Sequence, residues 1–139
     1  MCYHVSMIQP LFVFGDYGVL ILRVALGIIL VAHGLPKLRD LKSTGEWMGS
    51  VGFKPGAFWA LVVGLVEAVG GVMIIFGILT QIVSAFVAIQ FVVIFLTVKR
   101  KASFEDKEKD LLILAGALLL LVSTSGAYSV DEALGWIFY

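Results

Sequence analysis

The sequence predicts an all-α polytopic membrane protein: four transmembrane helices in an antiparallel bundle, with short interfacial helices in the first loop and the C-terminal tail. Three observations lead there. Of the 139 residues, 60% are hydrophobic and 14% charged, where a soluble domain carries roughly a quarter charged residues. The mean hydropathy is +1.04. The charges are also segregated: nine of the ten Lys and Arg residues lie in or beside two short stretches, Lys37, Arg39, Lys42 and Lys54, then Lys99, Arg100, Lys101, Lys107 and Lys109. The tenth, Arg23, stands inside an apolar run. The chain reads as a single domain over residues 1–139, with no soluble module.

Taken in order, residues 1–16 mix apolar and aromatic side chains with Pro10, Gly15 and Asp16, which suits an interfacial segment before the first span. No positive n-region is present, so no cleaved signal segment is expected. The first span runs over about residues 17–35, close to the ~20 apolar residues a helix needs to cross the hydrocarbon core, and Pro36 is expected to stop it. Residues 36–56 form a polar loop with interspersed Trp47, Met48, Val51 and Phe53, the mixture of an interfacial half-helix. A second span is expected at 57–79 and a third at 82–98, with Thr80 and Gln81 as the polar break between them. So short a connection makes the two a hairpin. Residues 99–110 read as a charged loop. A shorter, Leu-rich fourth span covers 111–125, and the tail holds a short surface helix around Asp131 and Glu132.

Four spans place both basic loops on one side of the membrane. The positive-inside rule makes that side cytoplasmic and puts both termini outside.

Ionisable groups within spans are expensive and need a partner or a purpose. At 1.5 Å per residue, Arg23 lies about 9 Å in from the outer end of the first span, and Glu67 about 15 Å in from the inner end of the second. That offset lets the two meet, so an Arg23–Glu67 pair is expected. Gly27 and Gly34 on one span, with Gly64 and Gly71 on the other, permit close approach along the same faces. Such a pair has two readings of equal standing. One is an architectural ion pair that fixes helix register. The other is a polar pocket that handles protons, a quinone headgroup or another small ligand. His33, whose ring can exchange protons near neutral pH, and Lys37 follow at the inner end. The plainer readings are a snorkelling histidine and a helix-terminal cation. Gln90, midway along the third span, is expected to donate a hydrogen bond between helices. The proton-handling candidates are therefore His33 and Glu67, and the ligand-binding candidates Arg23, His33, Lys37, Glu67 and Gln90.

No metal site is expected from two histidines without ligand spacing. The single cysteine, Cys2, excludes an intrachain disulfide and dithiol exchange.

From about Tyr17 to Leu134 the chain resembles the DoxX family of small membrane proteins. The first span, LRVALGIILVAHGLPKL, carries the family's Arg, Gly, His-Gly and Lys-Leu spacing. The second, VGLVEAVGGVMIIFGILT, carries its glutamate, paired glycines and Gly-x-x-Thr. VGFKPG resembles its Gly-x-x-Pro turn, and SGAYSVDEAL its Gly-x-Tyr-Ser-x-Asp ending. The resemblance implies a four-helix protein of a prokaryotic cytoplasmic membrane, linked to quinone-dependent oxidoreductases or to respiratory and oxidative-stress complexes. No haem ligand pair, flavin motif or iron–sulfur cysteine set appears in the sequence. The expectation is therefore no intrinsic cofactor, a quinone in a polar site between spans one and two, and electrons supplied by a partner. Catalysis, if any, belongs to the assembled complex. A purely structural or assembly subunit is the alternative, and a small transporter component ranks last. Expected partners are the lipid bilayer and either another protein or further copies of this chain, with no nucleic acid.

Overall fold

The computed structural model describes residues 14–123 and 125–136, and among these every regular element is a helix. In chain order they are α1 (Gly15–Arg39), α2 (Leu41–Ser50), α3 (Gly56–Phe76), α4 (Thr80–Thr97), α5 (Phe104–Val122) and α6 (Val130–Leu134). Three of them, α1, α3 and α4, are long and apolar enough to cross a membrane. Membrane-spanning helices require a lipid bilayer around them, because their exposed side chains (Ile21, Ile28, Leu65, Val69, Phe86 and Ile89 among them) are large and apolar. The interfacial segment expected before the first span falls mostly on residues 1–13, outside the described residues.

Pro36 does not end the first helix. It removes one backbone donor, but the following turn forms: the Asp40 N–H donates to the Pro36 carbonyl at 3.1 Å. Asp40 then closes α1 and opens α2, its side chain accepting from Ser43 N at 3.0 Å, an N-cap bond. The break between α3 and α4 is likewise not Thr80-Gln81 but Gly77–Leu79. Gly77 takes φ +68 at the C-cap, a conformation glycine adopts without a Cβ clash, and Thr80 already begins α4. The expected charged loop 99–110 is helical from Phe104 onward. Ser103 caps it by accepting from Asp106 N, and Glu105 and Asp106 favour the first turn through the helix dipole. The apolar part of α5, residues 111–122, is about 18 Å long, short of a hydrocarbon core of ~30 Å.

Small residues set the seam between α1 and α3. A Cβ on Gly34 would overlap the Ala68 backbone, one on Gly71 would meet Gly27 O at 2.7 Å, and one on Gly64 would meet Leu38 at 2.7 Å. In lipid, where burial alone does not drive helix association, such close backbone approach supplies the van der Waals contact. It also fixes register: Gly27 lies by Gly71, Gly34 by Ala68, Leu38 by Gly64. α2 seats on the start of α3 through Gly45 and Gly56, whose backbones touch. Leu26, Leu30, Ile74, Val83, Val87, Phe91, Ile113, Ala117 and Leu120 fill the space between α1, α3, α4 and α5.

Candidate functional site

The register of α1 against α3 decides which charges meet. With Gly34 on Ala68, Lys37 falls beside Glu67 one turn further on. Its ammonium donates to Glu67 Oε1 and Oε2, both at 2.6 Å. Gln90 of α4 completes the group: its Nε2 donates to Glu67 Oε1 at 2.6 Å. Glu67 is fully buried, while the Lys37 side chain keeps 28% of its surface exposed. Three charge-assisted bonds on one buried carboxylate are strong individually and hold three helices in a single arrangement.

The expected Arg23–Glu67 pair does not form. The same register sets Arg23 against Gly77, where an added Cβ would strike its Nη1, ten residues or about 15 Å along α3 from Glu67. Arg23 is 1% exposed. Its Nη2 donates to the Tyr128 carbonyl at 2.6 Å, while Nε and Nη1 are buried without a hydrogen-bond partner among the described residues. The opposing charge at this end comes from Asp131. That carboxylate accepts from Leu79 N at 2.6 Å and Thr80 N at 2.9 Å, so it caps α4 from the tail. Leu79 takes φ +48, unusual for a branched residue, and the bond to Asp131 holds it there.

The Lys37–Glu67–Gln90 group forms part of the wall of a cavity of about 440 Å³. Aromatic side chains make much of the remainder: Trp47 from α2, Phe53 from the following turn, Trp59 from α3, and Phe86 and Phe91 from α4. His33 reaches the same cavity from α1, exposed and one turn before Lys37. On the side of the α4–α5 connection stands an ion pair, Lys99 Nζ to Asp110 Oδ2 at 2.6 Å. The volume falls within the ~300–1,000 Å³ of ligand pockets, and mostly apolar walls with a few convergent polar groups are the usual composition of such pockets.

Of the site residues expected from sequence, His33, Lys37, Glu67 and Gln90 are brought together and Arg23 is not. The expected place of the site, between spans one and two, also shifts. The glycine seam leaves no room there, and the space lies instead between α3 and α4, with α1 and α2 supplying further walls. Sequence reasoning missed Asp131 and Tyr128 as the partners of Arg23, and Lys99, Asp110 and the aromatic lining of the cavity. Depth held the signal for the first pair: Arg23 is near the end of its span that shares a side with the tail, and Asp131 and Glu132 are the tail's acids.

The DoxX family profile matches residues 18–100. The chain is 36% identical over 117 residues to a Bacillus subtilis (strain 168) protein named "Putative oxidoreductase CatD", covering 84% of this chain and 86% of that one. It is 34% identical over 123 residues to "Inner membrane protein YqjF" of Escherichia coli (strain K12), covering 86% and 93%. No solved structure matches. Arginine, histidine-glycine, lysine and glutamate thus sit in helices that the family profile spans, and the chain belongs to the DoxX family.

Proposed function

We propose that this protein is the membrane subunit of a quinone-linked oxidoreductase, and that the quinone ring occupies the cavity beside Lys37, Glu67 and Gln90. The observation that carries the reading is the junction of an aromatic-walled cavity of about 440 Å³ with a buried glutamate held by partly buried lysine and glutamine side chains. Aromatic walls suit a planar ring, which stacks against them. Lys37 offers a charged donor to a ring oxygen. Reduction of a quinone to a quinol takes up two electrons and two protons. The electrons come from a partner protein acting as a two-electron donor. The protons reach the ring oxygens through His33, at the exposed edge of the cavity, and through the Lys37–Glu67 pair within it.

In this reading α5 completes an antiparallel four-helix bundle as the fourth span. Its short apolar part is accommodated because Lys107 and Lys109 extend to the headgroups. The two basic loops face the cytoplasm of a prokaryotic cell and both termini face outward. The name of the B. subtilis relative as an oxidoreductase supports the redox assignment, and that of the E. coli relative as an inner membrane protein supports the location.

The reading is tested by quinone binding to the purified protein and by quinone-dependent respiration in membranes. Lys37→Met combined with Glu67→Gln removes both charges together and so spares the helices an unpaired one. This variant should remain folded and lose both binding and respiration, and His33→Ala should slow respiration while leaving binding in place. Unchanged respiration in all three positions overturns the proposal. A second reading, an architectural subunit, has its own support in the three hydrogen bonds, two from Lys37 and one from Gln90, that already satisfy Glu67. Exchanging the residues (Lys37→Glu with Glu67→Lys) separates the two: an architectural pair survives the exchange in fold and function, a ligand site survives in fold alone.

A further inference from the structure

α3 and α4 leave their connecting turn in contact. A Cβ on Gly70 would meet Val83 at 3.0 Å, and Ile74 and Val83 belong to one core. Cavity-lining residues begin about two turns from that connection, at Glu67 and Val66 on α3 and at Phe86 on α4, and continue to Trp59 and Val98. The helices therefore enclose a cleft at the end away from the turn. Trp59, Phe86, Ile89 and Val93 line this cleft and are also exposed on the outside, Phe86 at 58% and Ile89 at 62%. A side chain that both lines the space and faces outward stands on its rim. Both helices are long and apolar enough to span a membrane, so this rim faces hydrocarbon. Elsewhere α2 lines the cavity with Trp47 and Met48 and the α4–α5 connection with the Lys99–Asp110 pair, and the exposed edge at His33 is polar where the α3–α4 rim is apolar.

Resting on the quinone reading above, we infer that the α3–α4 cleft is a lateral portal, and that the substrate is a long-tailed isoprenoid quinone delivered from the bilayer. The ring lies by Lys37, Glu67 and Gln90, and the tail leaves between Trp59 on one side and Phe86, Ile89 and Val93 on the other. Volume requires such an exit. A cavity of about 440 Å³ is at the small end of ligand pockets and holds a substituted ring, not a tail of many isoprene units. The rim lets the tail stay in hydrocarbon, so it is never transferred to water and its apolar surface costs nothing on binding. A tail-free quinone arriving from the aqueous side has no use for an apolar rim.

The test uses the full chain in lipid nanodiscs with Trp136→Phe, so that the two remaining tryptophans, Trp47 and Trp59, both line the cavity. Quenching of their fluorescence reports binding of menaquinone, and of a dimethylnaphthoquinone that carries a methyl in place of the tail. Ile89→Phe with Val93→Phe narrows the portal and should weaken menaquinone about tenfold, leaving the tail-free ring unchanged. Val72→Phe, on the exposed face of α3 outside the cavity, should alter neither. If the portal variant, still helical by circular dichroism, affects both quinones equally, or neither, the lateral route is wrong while the quinone site stands. If neither quinone quenches the parent protein, the quinone reading itself fails and the portal with it. Should the narrowed variant lose all binding through misfolding, Phe86→Ala with Ile89→Ala widens the mouth instead. Stopped-flow quenching by menaquinone must then be at least about twofold faster, because access sets association, and an unchanged rate overturns the portal.

Discussion

The molecule has two buried charged centres, one near each end of the α1–α3 seam, and they are built differently. At the Arg23 end the partners are mostly backbone: the Tyr128 carbonyl for the guanidinium, the Leu79 and Thr80 amides for Asp131. Those bonds tie α1, the α3–α4 turn and the C-terminal tail into a closed joint. At the Lys37 end the partners are side chains from three helices, two of them, Lys37 and Gln90, still partly exposed, and the group faces a cavity. Backbone groups bonded inside a turn cannot be released without dismantling it. Side chains on a cavity wall can exchange partners with a ligand. The contrast gives the first centre a structural role and leaves the second, in the reading proposed above, to handle a ligand.

The largest expected stability effect is therefore at the closed end. Asp131→Ala removes the acceptor of two backbone amides and the charge that opposes a buried guanidinium. Hydrogen bonds to charged groups contribute about 1.5–3 kcal/mol each, so a loss of about 3 kcal/mol is expected in SDS titration of the protein in mixed micelles. Whatever remains folded should bind quinone as before. A variant that folds well but loses binding breaks the division of labour between the two ends.

Lys37→Met comes next. It strands a fully buried carboxylate, a change that costs about 3–5 kcal/mol in a sealed site. Here Lys37 is partly solvated and Gln90 keeps its bond, so about 2 kcal/mol is expected after discounting for exposure. Adding Glu67→Gln should restore most of that stability and none of the binding. Recovery of both would make the second centre as architectural as the first and sharpen the comparison in the opposite direction.

How far these centres were legible in the sequence follows from what each depends on. Apolar run lengths locate α1, α3 and α4, because length against bilayer thickness is a local property. The glycine spacing gave the α1–α3 seam for the same reason. The partner of Glu67 was not local. Depth alone left Arg23 within reach, since a long side chain bridges the remaining offset. It took the contacts of Gly34 on Ala68 and Gly64 on Leu38 to place Lys37 there instead. Helix ends were misread where side chains distant in sequence act on them. Asp131 caps α4 from the tail, and Lys99 anchors the start of α5 through Asp106 O at 2.6 Å and Asp110. The cavity was invisible because it arises between α3 and α4, two helices whose hairpin connection suggested close packing along their whole length.

The smallest effect concerns the outer edge of the closed joint. Tyr128 Oη donates to Tyr17 Oη at 3.0 Å, and the rings lie 5.2 Å apart. Donating that hydrogen bond holds the phenol proton, and the charges of Asp16 and Glu132 act in the same direction, so Tyr128 titrates above the ordinary tyrosine range. A group whose folded pKa is raised contributes stability below its unfolded pKa, about 10 for tyrosine, and loses it as pH rises through the folded value. Tyr17→Phe removes the acceptor. The tyrosinate absorbance of Tyr128 should then appear at lower pH than in the parent protein, and the two proteins should become equally stable once the pH is high enough to ionise Tyr128 in both. The contact is solvent-exposed, so the shift in titration is the sensitive readout and unfolding is not. If the titration does not move, the tail is held to α1 by the Arg23–Tyr128 carbonyl bond without help from the ring pair. The closed joint then shrinks to Arg23, Tyr128 O and Asp131, and its contrast with the open centre rests on those buried groups alone.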